Sequence, residues 1–230
     1  MGDQTALYKF HVQEGKLSLL QKFQSDFALK DSASNFLRWS RDNAGIAVAG
    51  EDRTIRLFKI PDPKDFTKPV QMVLELKGGH HEPINALDIS PAKTYLLSTG
   101  GDCQACVWDL AQKRCVEKLS FRDGDFRDRF GNADPSNFMM RGCLFSPCSR
   151  FIYLLASRTR YKSFVVKYSV SAGGSGGNSK ISFTPIMAIE VHDQAATGLR
   201  MSRDGSFLSV STSDGFIKVL DQYTGKMVLN

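Results

Sequence analysis

Three residues that are able to form a catalytic hydrogen-bonded set lie near the middle of the chain: His80, Ser98 and Asp102. In acyl transfer, a serine acts as the nucleophile, a histidine as its base, and an aspartate orients the histidine. The same three types, extended by the indole of Trp108, also form a buried network that ties strands together, because buried polar groups must be paired. The surrounding sequence favours this second, structural interpretation.

The stretch Gly79–Leu110 supplies the elements that position these four side chains. Its apolar residues recur with period two in short runs between turns, which predicts strands rather than helices. The runs are Ile84–Ile89, Tyr95–Ser98 and Ala105–Trp108, and the turns are Ser90-Pro91 and Gly100-Gly101-Asp102. The stretch resembles a WD repeat, which folds as a four-stranded antiparallel blade of a β-propeller.

The same pattern recurs along the chain. A serine marks the turn after the first strand of each predicted blade, and these serines are spaced by 50, 56 and 56 residues. They are Ser40, Ser90, Ser146 and Ser202. An apolar second strand and a third strand follow each marker, so one period corresponds to one blade with longer loops than a minimal WD repeat has.

The first 24 residues contain only a third strand, Leu7–Val12, and a fourth strand, Leu17–Phe23. The sequence therefore predicts an all-β chain: a single, incomplete WD-repeat β-propeller domain over residues 1–230, with four full blades plus half a blade. A leftover half blade does not fit a four-bladed ring, and open sheet edges invite aggregation. We therefore expect the chain to be a fragment of a seven-bladed propeller.

Composition narrows the class of protein. The chain has 230 residues, 42% of them hydrophobic, which is enough to bury a core. It contains neither a run of about 20 apolar residues nor a signal sequence. Its five cysteines lack framework spacing and indicate free thiols, so we expect a soluble, cytosolic chain. The net charge of +6 is mild and suits an acidic protein partner or an anionic membrane surface.

Two insertions on one face of the predicted propeller carry charge. Arg122–Asn137 is a charged loop with interleaved Phe126 and Phe130, and it is typical of a solvated loop with two anchoring aromatics. Ser157–Ser163 joins a second to a third strand. Loops on a rigid scaffold often bind, and Arg and Tyr are frequent in interfaces. The predicted partner-binding residues are Arg158, Arg160, Tyr161 and Lys162.

No catalytic, cofactor-binding or metal-binding residue is predicted. Cys103-x-x-Cys106 resembles half a zinc site, but Cys143 and Cys148 belong to another blade and no His is paired with them at metal spacing. Nucleic acid is not an expected partner, because no run of basic residues with stacking aromatics forms a track.

Four motifs give the chain a more specific resemblance. They are Gly50-Glu51-Asp52 with Ile55–Phe58, the blade Gly79–Trp108, the strand Arg141–Phe145 with its basic loop, and Ser213–Val219. Through them the chain resembles the endoplasmic-reticulum guanine nucleotide exchange factors of the COPII pathway, the prolactin regulatory element-binding protein family. The resemblance extends over nearly the whole chain.

The resemblance implies a cytosolic propeller at the endoplasmic-reticulum membrane that exchanges nucleotide on the small GTPase of the COPII coat in ER-to-Golgi transport. Such a factor is not a bond-making enzyme, because it expels GDP by differential affinity. The family's glycine-rich loop, which binds potassium, and its membrane anchor are absent from these 230 residues. We therefore expect no cofactor in this chain and membrane contact only through that anchor. The alternative is a general WD-repeat interaction scaffold without exchange activity.

Replacing Asp102 with alanine is expected to lower the free energy of unfolding by about 1–3 kcal/mol, because the predicted buried network loses its terminal acceptor. Urea denaturation measures the change. An Asp102→Ala variant that unfolds at the same urea concentration as the parent chain would contradict the network.

Overall fold

The computed structural model describes residues 5–11, 13–23, 33–62, 68–120, 138–158, 162–173 and 180–229, and the structural statements below concern these residues. They form eighteen β-strands and no helix. Neighbouring strands within each sheet are antiparallel. The described residues therefore contain no helix that is long and apolar enough to cross a membrane.

The strands are grouped in the order of the chain. A two-stranded hairpin comes first, formed by β1 (Thr5–His11) and β2 (Lys16–Phe23). The first four-stranded sheet contains β3 (Ser34–Trp39), β4 (Gly45–Gly50), β5 (Ile55–Lys59) and β6 (Gln71–Leu76). The second contains β7 (Ile84–Ile89), β8 (Tyr95–Gly100), β9 (Gln104–Asp109) and β10 (Arg114–Ser120).

Two further four-stranded sheets follow. The third contains β11 (Phe138–Phe145), β12 (Phe151–Arg158), β13 (Ser163–Gly173) and β14 (Lys180–His192). The fourth contains β15 (Ala196–Met201), β16 (Phe207–Thr212), β17 (Ile217–Asp221) and β18 (Met227–Leu229). The prediction of an all-β partial propeller, with four full blades plus half a blade, is confirmed.

The four marker serines cap the turn between the first and second strand of each blade. Each hydroxyl oxygen accepts a hydrogen bond from the backbone N–H five residues later, at N–O distances of 2.9–3.0 Å. The residue three positions after each serine has a positive φ, which closes the turn; these residues are Asn43, Lys93, Ser149 and Gly205. The serine spacing in the sequence therefore reflects one repeated turn chemistry.

The hydrophobic core lies between successive sheets. One apolar cluster joins the hairpin to the first sheet, and three more join the first to the second, the second to the third, and the third to the fourth. Leu97 of β8 and Leu154 of β12, for example, belong to one cluster and are both fully buried. Burying such a leucine stabilises the fold by about 1.5–3 kcal/mol, so each blade depends on its neighbours.

The first strands of the blades, β3, β7, β11 and β15, lie beside one another at the centre. Asp88 on β7 is 3% exposed and joins three of them. Its carboxylate accepts a hydrogen bond from Arg38 Nε on β3 at 2.8 Å and another from the Phe145 N–H on β11 at 2.7 Å. Asn85 of β7 also donates to the Met140 carbonyl of β11, at 3.0 Å. These bonds fix the relative positions of the first three blades.

Replacing Asp88 with alanine is expected to destabilise the chain by about 1–3 kcal/mol, because the Arg38 guanidinium and the buried Phe145 N–H lose their acceptor. Asp193→Ala, which removes an exposed carboxylate, is the matched control and should change stability by less than about 0.5 kcal/mol. Urea denaturation followed by circular dichroism measures both. Equal stability of the two variants would show that Asp88 does not hold the strands together.

Candidate functional site

The four residues singled out in the second blade form one continuous chain of hydrogen bonds. Trp108 Nε1 donates to Ser98 Oγ at 2.8 Å, and Ser98 Oγ lies 2.8 Å from His80 Nε2. His80 Nδ1 lies 3.1 Å from both carboxylate oxygens of Asp102. The network joins β8, β9, the segment before β7 and the β8–β9 turn, as the sequence predicted.

This network has the connectivity of a serine–histidine–aspartate triad but lacks access for a substrate. Ser98 and Trp108 are fully buried, and the His80 side chain is as well. Gly79 closes the site further, because a Cβ at this position would lie 2.4 Å from the Trp108 ring. A nucleophile enclosed in this way cannot reach a carbonyl group, so the network holds the blade together.

The fourth blade contains a reduced form of the same network. His192 Nε2 lies 2.7 Å from Asp214 Oδ2, and the two residues are 22 positions apart, as His80 and Asp102 are. Val210 and Leu220 occupy the positions that correspond to the serine and the tryptophan, so the chain of hydrogen bonds ends at the histidine. This pairing indicates a structural role for His192.

The predicted partner-binding residues fall partly within the described chain. Arg158 ends β12, so the second strand extends one residue beyond Ser157 into the predicted loop. Arg160 and Tyr161 lie outside the described residues, as does the insertion Arg122–Asn137. Lys162 is exposed, and its Nζ lies 2.7 Å from the Glu190 carboxylate. This surface ion pair partly neutralises the loop, and the loop's role in binding stays a prediction.

The cysteines do not assemble into a metal site in the described part of the chain. Cys103 lies in the β8–β9 turn and contacts the Phe138 carbonyl, whereas Cys106 is buried within β9. No group of three or more His, Cys, Asp or Glu side chains among the described residues is arranged to hold a metal ion. A hydrogen bond from Cys106 lowers the pKa of the half-buried Cys115 thiol to about 7.

A cavity of about 620 Å³ opens where the first strands of the blades end. Four arginines line it: Arg38, Arg41, Arg200 and Arg203. A second cavity of about 530 Å³ lies toward the beginnings of the same strands, and Arg200 lines both. The Arg200 guanidinium lies 5.9 Å from the centre of the Phe36 ring. This contact joins β15 to β3 across the axis. We call the first of these cavities the arginine cavity.

The arginine cavity lies on the face opposite to the end of β12 and the start of β13, the two strands that the predicted basic loop joins. Second strands run antiparallel to first strands, so a loop between second and third strands stands beside the beginnings of the first strands. Arg158 accordingly pairs with Phe138, at the start of β11. The arginine cavity lies at the other ends of the first strands, near Phe145 and Met201. Sequence reasoning therefore singled out basic residues on one face and missed the exposed arginines on the other.

The sequence does contain a signal for the missed arginines. Arg38 and Arg200 are 162 residues apart, and so are Arg41 and Arg203; this distance is the sum of the three blade spacings. The first and fourth blades thus carry the same pair of arginines at the same position, within the segments Arg38–Asp42 and Arg200–Asp204. The second and third blades have Asp88 and Leu144 at the first of these positions and proline at the other.

The electrostatics of the arginine cavity are dominated by positive charge. Asp88 is its buried carboxylate, and burial raises the pKa of Asp88 although the nearby Arg38 charge and the Phe145 N–H lower it. Burial, and next the charge of Arg38, lower the pKa of the Arg200 guanidinium. The like charge of Arg38 therefore disfavours the charged form of Arg200, and the Asp88 carboxylate offsets part of this effect.

Comparisons with known proteins identify the repeat. The model of the family described as "WD domain, G-beta repeat" matches residues 70–109 and 183–221. Each match begins in or next to the last strand of one sheet and ends with the third strand of the next. The chain is therefore a WD-repeat protein with an all-β, partial propeller fold.

Three relatives give the range of similarity. TOPLESS-RELATED PROTEIN 2 of Oryza sativa subsp. japonica is 30% identical over 139 residues, which cover 54% of this chain and 12% of that protein. Cleavage stimulation factor subunit 50 of Arabidopsis thaliana is 24% identical over 83% of this chain and 40% of its own length. Set1 complex component swd2 of Schizosaccharomyces pombe is 23% identical over 90% of this chain and 50% of its own length.

The chain thus spans half or less of the length of these relatives. Their names do not point to the exchange factors of the COPII pathway that the sequence motifs resemble. The relatives support the broader assignment of this chain to WD-repeat proteins, a class that includes the exchange factors.

Replacing Asp102 with asparagine tests the charge in the buried network. Burial raises the pKa of Asp102, but the His80 ring and the N–H groups of His81 and Gln104 lower it further, to below the ordinary value of 3.8. A carboxylate with a lowered folded-state pKa stabilises the fold above its unfolded-state pKa and loses that contribution as the pH falls through the folded-state value. The stability advantage of the parent over Asp102→Asn should therefore be constant near neutral pH and shrink below about pH 4.

Urea denaturation at a series of pH values from neutral to acidic measures this difference. Asp193→Asn removes the same charge from the exposed surface and reports the effect of net charge alone. An advantage of the parent over Asp102→Asn that grows as the pH falls would contradict the assigned charge state.

Proposed function

We propose that this chain is a WD-repeat protein-interaction scaffold without bond-making chemistry. The observation that carries the proposal is a contrast in accessibility. The side chains arranged for catalysis, Ser98, His80 and Asp102, are enclosed in the second blade, whereas the exposed Arg200 and Arg203 line an open cavity. Groups that meet solvent on a rigid framework suit binding, and groups sealed within it suit stability.

The relatives support the same proposal. One is named as a subunit of a cleavage stimulation factor and another as a component of the Set1 complex, so both names describe members of assemblies. A propeller suits such a role because its sheets pack on one another and its loops are displayed on two faces. For this chain, membership of an assembly is the proposal, and the identity of the assembly is left open.

The exchange-factor interpretation stays a prediction, and it makes a more specific claim than the scaffold function does. It assigns the chain's parent protein to the cytosolic face of the endoplasmic reticulum and gives it the COPII coat GTPase as partner. The two interpretations differ in a measurable way. The exchange-factor interpretation predicts that these 230 residues bind the COPII coat GTPase although the glycine-rich loop is not among them, and the scaffold function does not.

Two measurements test the scaffold function. First, a pull-down with the immobilised chain should not retain the nucleotide-free COPII coat GTPase. Second, affinity-tagged chain expressed in cells of its source should retain a partner that forms a defined complex with the purified chain when the two are mixed. The His80→Ala variant, which breaks the buried network, controls for binding by unfolded protein. Retention of that GTPase, or the absence of a reconstituted complex, would contradict the proposal.

A further inference from the structure

The arginine cavity combines accessible positive charge with exposed apolar walls. Arg41, Arg200 and Arg203 are exposed, and Arg38 is partly exposed. Leu37 and Trp39 line the same cavity with 41% and 40% of their surface accessible. We propose that this cavity binds an acidic segment of a partner protein, with its carboxylates on the arginines and an apolar side chain against Trp39. The inference rests on the proposed scaffold function and names the chemistry of the partner.

The hydrogen bonds of the arginines leave donors available. Within the described part of the chain, Arg38 donates to Asp88, Arg41 donates a long bond of 3.3 Å to the Phe145 carbonyl, and Arg200 donates to the Leu199 carbonyl at 2.8 Å. Each guanidinium has five N–H donors, so most of them remain for a ligand. Among the described residues, no carboxylate lies within ion-pair distance of Arg41, Arg200 or Arg203.

The carboxylates of Asp42 and Asp204, which follow Arg41 and Arg203 in the sequence, are hydrogen-bonded to groups other than the arginines. Asp42 accepts hydrogen bonds from Ser40 and Lys93, and Asp204 accepts from Ser202 and Ser206 within its own turn. These bonds hold the turns closed, so the two carboxylates are not positioned by the arginines. The cavity therefore presents several guanidinium groups against the single buried carboxylate of Asp88, an arrangement that attracts anions.

The shape and composition favour a peptide over a nucleic acid. The charged groups surround one cavity on the axis instead of following a line across the surface, and a nucleic-acid backbone requires such a line. Trp and Arg are the side chains that contribute most often to protein interfaces, and Trp39 lies between Arg38 and Arg41 in the sequence. The two arginine pairs, from the first and fourth blades, approach the cavity from different blades and offer carboxylates two points of attachment.

Fluorescence anisotropy with a fluorescein-labelled decaglutamate peptide tests the inference on the whole chain. The peptide should bind at about 50 mM NaCl and lose affinity at about 300 mM NaCl, because salt screens exposed charges. A decaglutamine peptide should not bind. The double variant Arg200→Gln, Arg203→Gln should weaken decaglutamate binding at least about tenfold. The single variant Arg203→Gln, at an exposed side chain, should weaken it by a smaller factor.

The matched control is the double variant Lys113→Gln, Arg114→Gln. It removes the same charge from two exposed residues, one in the β9–β10 turn and one at the start of β10, on the same face at the outer part of the second blade. It should keep affinity within about twofold of the parent, since screened charges outside the site contribute little. Both double variants should unfold cooperatively in urea. The Lys113→Gln, Arg114→Gln variant should unfold at the same urea concentration as the parent, because both side chains are exposed. The Arg200→Gln, Arg203→Gln variant should unfold at a slightly lower concentration, because it loses the contact between Arg200 and Phe36.

Three results would overturn the inference: no decaglutamate binding, equal weakening in the two double variants, or tighter binding of a single-stranded oligothymidylate of the same charge. The last result would identify a nucleic-acid site. Failure of the inference is separable from failure of the scaffold function. If the Arg200→Gln, Arg203→Gln chain still forms the reconstituted partner complex, the scaffold function stands and the acidic-segment site falls. If the parent chain forms no complex either, the scaffold function falls as well.

Discussion

The Asp88 carboxylate is withdrawn from water at the point where three inner strands meet. It accepts hydrogen bonds from the Arg38 guanidinium of β3 and the Phe145 N–H of β11. A buried carboxylate without such partners costs several kcal/mol, so the three strands are constrained to keep this arrangement. The same contact holds Arg38 at the wall of the cavity, where its charge reaches Arg200. The position of the arginine cavity therefore depends on a bond between blades.

Buried polar groups within a blade must also be hydrogen-bonded, but there they pair with one another instead of joining separate blades. His80, Ser98, Asp102 and Trp108 pair with one another and leave no group free for chemistry. Residues of catalytic type are thus used for cohesion, whereas arginines at the ends of first strands meet solvent. Accessibility, more than residue type, separates the part of this protein that holds the fold from the part that is able to bind.

A sequence repeat does not coincide with a structural blade, and this offset helps to hold neighbouring blades together. A matched repeat such as residues 70–109 runs from the region of one sheet's last strand to the third strand of the next sheet. Each repeat therefore contributes to two blades, and the apolar clusters between sheets bind the blades along their faces. A framework of this kind keeps its loops and its axial cavity in fixed positions, which suits a scaffold.

Features that depend on short distances along the chain are predictable from the sequence. The strands follow from period-two patterns, the turns from serine hydroxyls that cap an N–H five residues later, and the buried network from spacings within one blade. Contacts between residues of different blades are known only from the packed fold. Arg38 and Asp88 are 50 residues apart and Phe36 and Arg200 are 164 apart, and their contacts arise from the packing of separate sheets.

The repeat of arginines at 162 residues was present in the sequence, but nothing in the sequence indicated that these positions share one cavity. That information lies in how far each blade rotates around the axis, which is set by side-chain packing between sheets and not by any local pattern.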